Sequence, residues 1–432
     1  MTRPKILLSA GEASGETYGA QLIDAIRHLE PDAEFFGMGG QRMEARGLRR
    51  IVRAEDVAVM GITEVIRHMP RIYGEYLKLK KSASIEHPGL AILVDFPDVH
   101  LRLARELHRL RIPVIFFVSP QLWAWKKHRI RQVRRYVDRM LVIFPFEEPF
   151  YRQRGVDAFF VGHPLADLPL PSISRNAFAR EHGLDPSKQW IGLLPGSREK
   201  EIRLNLPEMM KAATDLREEA EFLLPLAPTL TPQQITHVHA MLAERPSGGT
   251  SPRITVTGDA RAVLMHARAS VVASGTATVE AALIGNPFVV VYRVSKLTYE
   301  IARRVVKVPH VAMVNLVAGR EVVPELIQDE YTSANVVSRL RPLLHDDAAR
   351  STMQTNLSEV RSLLKGTRDE NTQTAIDQVA RISMQLYSEF QHRQLHPGQV
   401  ENPEGSTTPM INSTRDPNHP ILQSPAPPRK AQ

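Results

Sequence analysis

Short, near-continuous apolar runs alternate with segments of helical spacing, and this alternation occurs twice along the chain. The first set of runs falls at residues 5–9, 34–36, 91–94, 114–118, 140–143 and 159–161. The second falls at 190–194, 221–226, 253–256, 270–273 and 288–292. A strand apolar at every position, rather than at every other one, is buried on both faces, so the pattern predicts parallel sheets covered by helices. Right-handed crossovers then give an α/β fold of two doubly wound, Rossmann-like domains facing a cleft, with ligands at the carboxyl ends of the strands. The Pro-rich stretch Leu168-Pro169-Leu170-Pro171 marks the linker. The expected division is a first domain over 1–167 and a second over 168–365. A helical segment over 366–390 packs back across them, and a disordered tail covers 391–432, where eight prolines occur with few apolar residues.

Composition removes several classes of function. The 432 residues include no Cys, which excludes disulfide frameworks, thiolate metal sites and a Cys nucleophile. Lys and Arg number 55 against 47 Asp and Glu, a net charge of +8, which favours anionic partners. The start of the chain lacks the apolar core of a signal peptide, and no run approaches the roughly 20 apolar residues of a membrane span. A soluble or peripheral cytoplasmic protein is expected.

Chemistry-bearing residues gather where strands end. Gly11-Glu12-Ala13-Ser14-Gly15 follows the first strand and opens a helix, so its N–H groups suit a phosphate or sugar, or the glycines serve a tight turn. Gly37-Met38-Gly39-Gly40, read as lying after the second strand, is equally ambiguous. Asp95 and Asp98 flank Phe96-Pro97 at the end of another strand, where a carboxylate is either a general base or a helix cap. In the second domain, Gly196, Ser197 and Arg198 offer close backbone approach, a hydroxyl and a bidentate cation. Ser274, Gly275 and Thr276 precede a helix whose Glu280 suits the two hydroxyls of a ribose. Two such strand-to-helix anion sites in one domain point to a nucleotide diphosphate. His163, His237 and His239 lack metal-ligand spacing, so no metal is expected.

Two further features have competing readings. Val65, Ile66, Met69 and Ile72 belong to an apolar stripe flanked by Arg and Lys, either core or a membrane-facing surface. Lys126 to Arg139 is densely basic, either a solvated helix face or a contact for anionic lipid or RNA; no nucleic-acid module accompanies it.

Taken together, the ordered motifs from Ser9 to Gly15, Val118-Ser-Pro-Gln-Leu-Trp-Ala-Trp125, Phe144-Pro-Phe-Glu147, Val161-Gly-His-Pro164, Leu194 to Arg198, Ser274 to Glu280 and Asn315-Leu-Val-Ala-Gly-Arg-Glu321 closely resemble the lipid-A-disaccharide synthase family. The resemblance runs from about Lys5 to Leu364. It implies an inverting glycosyltransferase of GT-B architecture that moves 2,3-diacylglucosamine from UDP to the 6-hydroxyl of 2,3-diacylglucosamine 1-phosphate. The product is a β(1→6) disaccharide 1-phosphate, with UDP released and no cofactor or metal required. It also implies a peripheral protein on the cytoplasmic face of the inner membrane, in contact with anionic lipid, and permits a homodimer. Asp98 is then the expected base, and Arg198, Ser274–Thr276, Glu280 and Asn315 line the donor site. The sequence departs from the family at Glu16 and at Val99-His100, where members carry Asp and a Phe-Asn pair. A nucleotide-sugar 2-epimerase shares this architecture, but a His-Gly-Asp-Thr-like stretch would be expected where Asp95-Phe96-Pro97-Asp98 stands. A non-enzymatic basic protein leaves the anion loops unexplained.

Overall fold

A computed structural model describes residues 3–57, 62–243, 252–305, 308–367 and 372–395. Within them the first sheet is built from β1 (Lys5–Ala10), β2 (Glu34–Gly39), β3 (Leu48–Arg53), β4 (Leu90–Val94), β5 (Val114–Phe117), β6 (Arg139–Val142) and β7 (Ala158–Phe160). The second contains β8 (Trp190–Leu194), β9 (Glu221–Pro225), β10 (Ile254–Thr257), β11 (Ala269–Ala273), β12 (Phe288–Tyr292) and β13 (Glu325–Ile327). Every registered pair is parallel, and the spatial orders are β3-β2-β1-β4-β5-β6-β7 and β10-β9-β8-β11-β12-β13. Each sheet reverses its winding once, between β1 and β4 and between β8 and β11. The crevice beyond those strand ends is where a doubly wound sheet binds ligands.

Burial follows the two-residue period of the strands. On β1, Ile6, Leu8 and Ala10 face one apolar cluster while Leu7 faces another. The first of these clusters extends through helix Ala13–Leu29 to Val279, Ala282, Val360 and Val379, so one core links the two sheets. The C-terminal helix, Ala375–Leu395, packs on helix Ala13–Leu29 of the first domain. Arg139 of β6 donates two 2.8 Å hydrogen bonds to the Glu389 carboxylate, and Ala375 N–H donates to Asp167 at 2.8 Å. This helix continues beyond residue 390 to Leu395; residues 396–432, including the Pro-rich tail, lie outside the described residues.

Three strands differ from the sequence expectation, one of them β13, a three-residue edge strand with no counterpart among the expected runs. β3 (Leu-Arg-Arg-Ile-Val-Arg) is an edge strand whose arginines break the apolar run, and Arg50 pairs with Glu44 and Glu55. The Gly37–Gly39 cluster lies inside β2 rather than after it. The register of β2 with β3 shifts between Gly37 and Met38, and Gly37 adopts φ +149° there. A Cβ at Gly37 would stand 2.1 Å from the Leu8 carbonyl oxygen, so the bulge requires glycine. Gly37→Ala should therefore cost about 3 kcal/mol of stability, seen as a lower midpoint in thermal or urea melts; an unchanged midpoint would mean that the bulge accepts a side chain.

Candidate functional site

Four of the loops singled out in the sequence follow the four strands that flank the two winding reversals. Residues 11–15 follow β1, 95–98 follow β4, 195–198 follow β8 and 274–276 follow β11.

The β1 loop enters helix Ala13–Leu29 through Glu12, an extended N-cap that makes no side-chain cap bond. The first-turn N–H groups at Ser14 and Gly15 therefore lack an intrahelical acceptor. Glu12 and Ser14 are exposed, while Gly11 is buried under the Phe96 ring. Glu16 looks the other way: its carboxylate accepts from Arg42 N–H at 2.8 Å and so caps the helix Gln41–Ala45.

At the end of β4, Asp95 and Phe96 both adopt left-handed backbone angles, φ +50° and +53°. This turn is held by His100, fully buried, whose Nδ1 lies 2.6 Å from the Asp95 carbonyl oxygen and whose Nε2 lies 2.8 Å from Ser9 Oγ. A carbonyl only accepts, so Nδ1 carries the proton and the Ser9 hydroxyl donates to Nε2. Burial pushes the imidazole down to about 4, so it is neutral near pH 7. His100 is thus a clamp and not a proton shuttle.

The two carboxylates that follow β4 have different surroundings. Asp95 is half-buried, and its carboxyl is pushed up to about 7, first by burial and then by the charge of Glu12, with a bond from Phe96 N–H opposing. Asp98, in the first turn of helix Pro97–Arg109, has a 68% exposed side chain and is engaged by Arg129 Nη2 at 2.6 Å and Lys126 Nζ at 3.8 Å. The family resemblance pointed to Asp98 as base; the structure commits Asp98 to two cations and leaves Asp95 without a cationic partner among the described residues. Tyr18, buried on helix Ala13–Leu29, has its hydroxyl pKa raised by burial, then by Glu280 of the second domain and by Asp95. Carboxylate charge from both domains therefore acts on this one hydroxyl.

In the second domain, the β8 loop turns at Gly196, φ +121°, where a Cβ would meet the Glu201 side chain at 2.6 Å. Glu201 accepts from Ser197 N–H at 3.0 Å and Arg198 N–H at 3.3 Å, and faces Arg198 Nη1 at 3.5 Å. Helix Thr276–Ile284, by contrast, starts from Gly275, which brings no side chain to cap it. Ser274 Oγ lies 3.4 Å from the Val311 carbonyl, Gly275 and Thr276 are exposed, and although Thr278 N–H donates to the Gly275 carbonyl at 3.1 Å, the N–H groups of Thr276 and Ala277 offer an open anion site. Glu280 is half-buried; its carboxyl is raised chiefly by burial, with Arg261 opposing and Asp259 adding to the rise.

Asn315, expected to line the donor site, is fully buried instead. Its Nδ2 donates to the Val323 carbonyl at 2.9 Å and Glu325 Oε1 at 2.8 Å, and its Oδ1 accepts from Val322 and Val323 N–H at 2.8 and 3.1 Å. Glu325 in turn accepts from the N–H groups of Val311 and Ala312, both at 2.9 Å. Asn315 thus holds from behind the segment that the Ser274 hydroxyl touches.

Sequence reasoning quoted Ser119, Trp123 and Glu147 only as parts of motifs. Glu147 is buried and accepts from Ser119 Oγ at 2.7 Å, Trp123 Nε1 at 3.1 Å and Phe144 N–H at 3.2 Å. Burial pushes it up to about 7. Its signal in the sequence was a glutamate directly after Phe144-Pro145-Phe146, an apolar setting that buries the carboxyl. Of the stripe residues, Ile72 is half-buried on helix Ile62–Glu86, while the side chains of Val65, Ile66 and Met69 lie outside the described residues. Among the described residues, no group of three or more His, Cys, Asp or Glu is arranged to hold a metal ion.

A profile described as lipid-A-disaccharide synthetase matches residues 6–379. A lipid-A-disaccharide synthase of Acidobacterium capsulatum is 68% identical over 367 residues, covering 84% of this chain and 92% of the relative. One from Koribacter versatilis is 50% identical over 378 residues, covering 87% and 97%. Among solved structures, the calicheamicin glycosyltransferase CalG4 aligns with a TM-score of 0.54 at 16% identity, over 91% of this chain and 99% of its own. A Neisseria meningitidis UDP-GlcNAc 2-epimerase bound to UDP-GlcNAc aligns with a TM-score of 0.57 at 11% identity, over 89% and 100%. At such identities the solved structures speak for the two-domain fold alone, whereas the profile and the close relatives speak for the activity. The chain belongs to the lipid-A-disaccharide synthetase family and is a glycosyltransferase.

Proposed function

We propose that the chain transfers 2,3-diacylglucosamine from its UDP ester to the 6-hydroxyl of 2,3-diacylglucosamine 1-phosphate, with inversion, giving the β(1→6) disaccharide 1-phosphate and UDP. The observation that carries this reading is that the strand ends at the two winding reversals hold a carboxylate without a cationic partner in the first domain and an open anion site in the second. Inversion requires a single displacement. The acceptor O6 forms its bond to the anomeric carbon as the bond from that carbon to the diphosphate oxygen breaks, and the O6 proton passes to a base.

Asp95 is the base that this geometry favours. A carboxyl near 7 is half ionised at neutral pH and holds a proton better than an ordinary aspartate, the compromise general-base catalysis needs. The departing UDP gains negative charge, which the open N-terminus of helix Thr276–Ile284 and the Arg198 guanidinium stabilise. The half-buried Glu280 accepts from the ribose hydroxyls. UDP-sugar is a substrate, and these dipoles and the guanidinium supply the positive field at the diphosphate without a metal ion. Turnover should accordingly survive EDTA; loss restored by a divalent cation would overturn that part of the reading.

No helix of the described residues is long and apolar enough to cross a membrane. Tyr73 and Leu77, four residues apart on helix Ile62–Glu86, are 56% and 43% exposed, which supports contact of this helix with the cytoplasmic face of the inner membrane. Serine at Val65, Ile66, Met69 and Ile72 should reduce binding to anionic vesicles while the melting transition is kept; unfolding instead would assign the stripe to the core.

Asp95→Asn should lower kcat by at least roughly 10², within the general-base range, and Asp98→Asn by less than about tenfold, the scale of an exposed ion pair. The reverse ranking would return the base to Asp98. The wild-type kcat/KM should rise with pH through about 7, as Asp95 loses its proton. The same raised pKa means that the folded state binds more protons than the unfolded one between pH 4 and 7, so Asp95 destabilises the fold as pH rises. Asp95→Asn should consequently melt higher than the wild type at pH 8.

A further inference from the structure

We propose that Lys126 and Arg129 form the subsite for the acceptor's phosphate monoester, with Asp98 as the positioning residue that keeps both cations aimed before substrate arrives. This rests on the reading of the reaction given above and names the part of the site that holds the acceptor.

The loop between β5 and helix Ile130–Tyr136 is built under strain. Val118 at its start and Lys126 near its end adopt φ +64° and +53°, and Asp95 and Phe96 on the neighbouring strand end do the same. A β-branched residue in this region is rare, and such angles persist only where the surroundings over-determine them, as at binding sites. Those surroundings are present. Ser119 and Trp123 are tied to Glu147, the Tyr151 hydroxyl donates to the Pro120 carbonyl at 2.8 Å, and Leu122 and Ala124 are buried. A rigid loop therefore delivers Lys126 and, through the turn Lys127–Arg129, Arg129 to a fixed place.

That place is beside the proposed base. Asp98 follows Asp95 by three residues, in the first turn of helix Pro97–Arg109, and its Oδ1 faces both Arg129 Nη2 and Lys126 Nζ. Two cations on one carboxylate oxygen leave an unbalanced positive charge, although their side chains are only 23% and 31% exposed. Lys126 Nζ is further fixed 4.2 Å from the centre of the Trp125 ring. A planar guanidinium with an ammonium beside it is the combination that recognises a dianionic phosphate. The donor's diphosphate has its own anion site in the second domain, so this one, in the first domain beside the base, is left for the acceptor. The same chemistry would also hold the phosphate of an anionic membrane lipid, and the experiment separates the two.

Steady-state UDP release would be measured in non-ionic detergent free of anionic lipid, for wild type, Lys126→Gln, Arg129→Gln and Arg129→Lys. Each protein would be given 2,3-diacylglucosamine 1-phosphate or the same acceptor without its phosphate. UDP affinity by calorimetry and binding to phosphatidylglycerol vesicles would be measured alongside. Arg129→Gln should raise KM for the phosphorylated acceptor at least about tenfold, as expected for a lost charge-assisted hydrogen bond. Arg129→Lys should recover part of that loss, UDP affinity should be unchanged, and all four proteins should use the dephosphorylated acceptor equally poorly. Equal KM values across the proteins would overturn the proposal. So would an equal loss with both acceptors, which would mark a structural role, or a loss of vesicle binding at unchanged KM, which would assign the pair to the membrane. If the wild type itself released no UDP on adding acceptor, the reading of the reaction would fall, and this subsite with it.

Discussion

The buried imidazole of His100 is the contact on which the first half of the site depends. It joins Ser9, on β1, to the carbonyl of Asp95, just after β4, and thereby ties together the two strand ends at the winding reversal. Only the neutral ring protonated at Nδ1 both donates to the carbonyl and accepts from the Ser9 hydroxyl; a charged ring would keep the first bond but force that hydroxyl to accept instead of donate. Burial keeps the ring neutral and so keeps both bonds intact. The left-handed turn at Asp95 and Phe96 would otherwise relax, since an unsupported non-glycine residue gains energy by leaving that region. The clamp thus determines where the Asp95 carboxylate stands, and Phe96 in turn covers Gly11 of the opposite loop.

Around this clamp, charge is sorted by sign. Asp95, Glu12 and Glu280 act on the middle of the site, as the raised Tyr18 hydroxyl records from both domains. The cations stand at its margins, Arg198 in the second domain and Lys126 and Arg129 in the first. The substrates of the proposed reaction carry both kinds of partner: hydroxyls on the acceptor and the ribose, a diphosphate on the donor's anomeric carbon and a phosphate on the acceptor. Carboxylates accept from hydroxyls and cations hold phosphates, so one arrangement of charge serves both orientation and proton removal. The same burial that raises Asp95 destabilises its ionised form, a cost at a functional position that the continuous core beneath it offsets.

Strand ends were legible in the sequence because β1, β4, β8 and β11 are mostly apolar and stop abruptly at Gly11, Asp95, Pro195 and Ser274. Their loops could be located without knowing what surrounds them. Which side chain in each loop is free was not legible. Asp95 and Asp98 differ in role because Lys126 and Arg129, some thirty residues further on, reach only one of them. Asn315 reads like a binding residue by its motif, yet its four hydrogen bonds go to a return segment whose path the sequence does not disclose. Glu16 likewise spends its carboxylate on a five-residue helix that no periodicity announces. β3 escaped because three arginines among six residues of an edge strand look like a solvated turn, and β2 was cut short because a bulge glycine looks like a strand end.

The two anion loops of the second domain are not equivalent, although their sequences look alike. At 195–198 the backbone donors are already satisfied by Glu201, a carboxylate from the same helix that stands where an incoming anion would bind. A diphosphate gains little from donors that must first be taken from another anion, because one charge-assisted bond replaces another. At 275–276 the helix opens on a glycine, and its dipole faces the cleft uncompensated. The backbone of the second loop therefore does the binding, while in the first loop the side chain of Arg198 does. Glu201 contributes by fixing the turn from which that guanidinium extends, and Gly196 is needed there to make room for Glu201 itself.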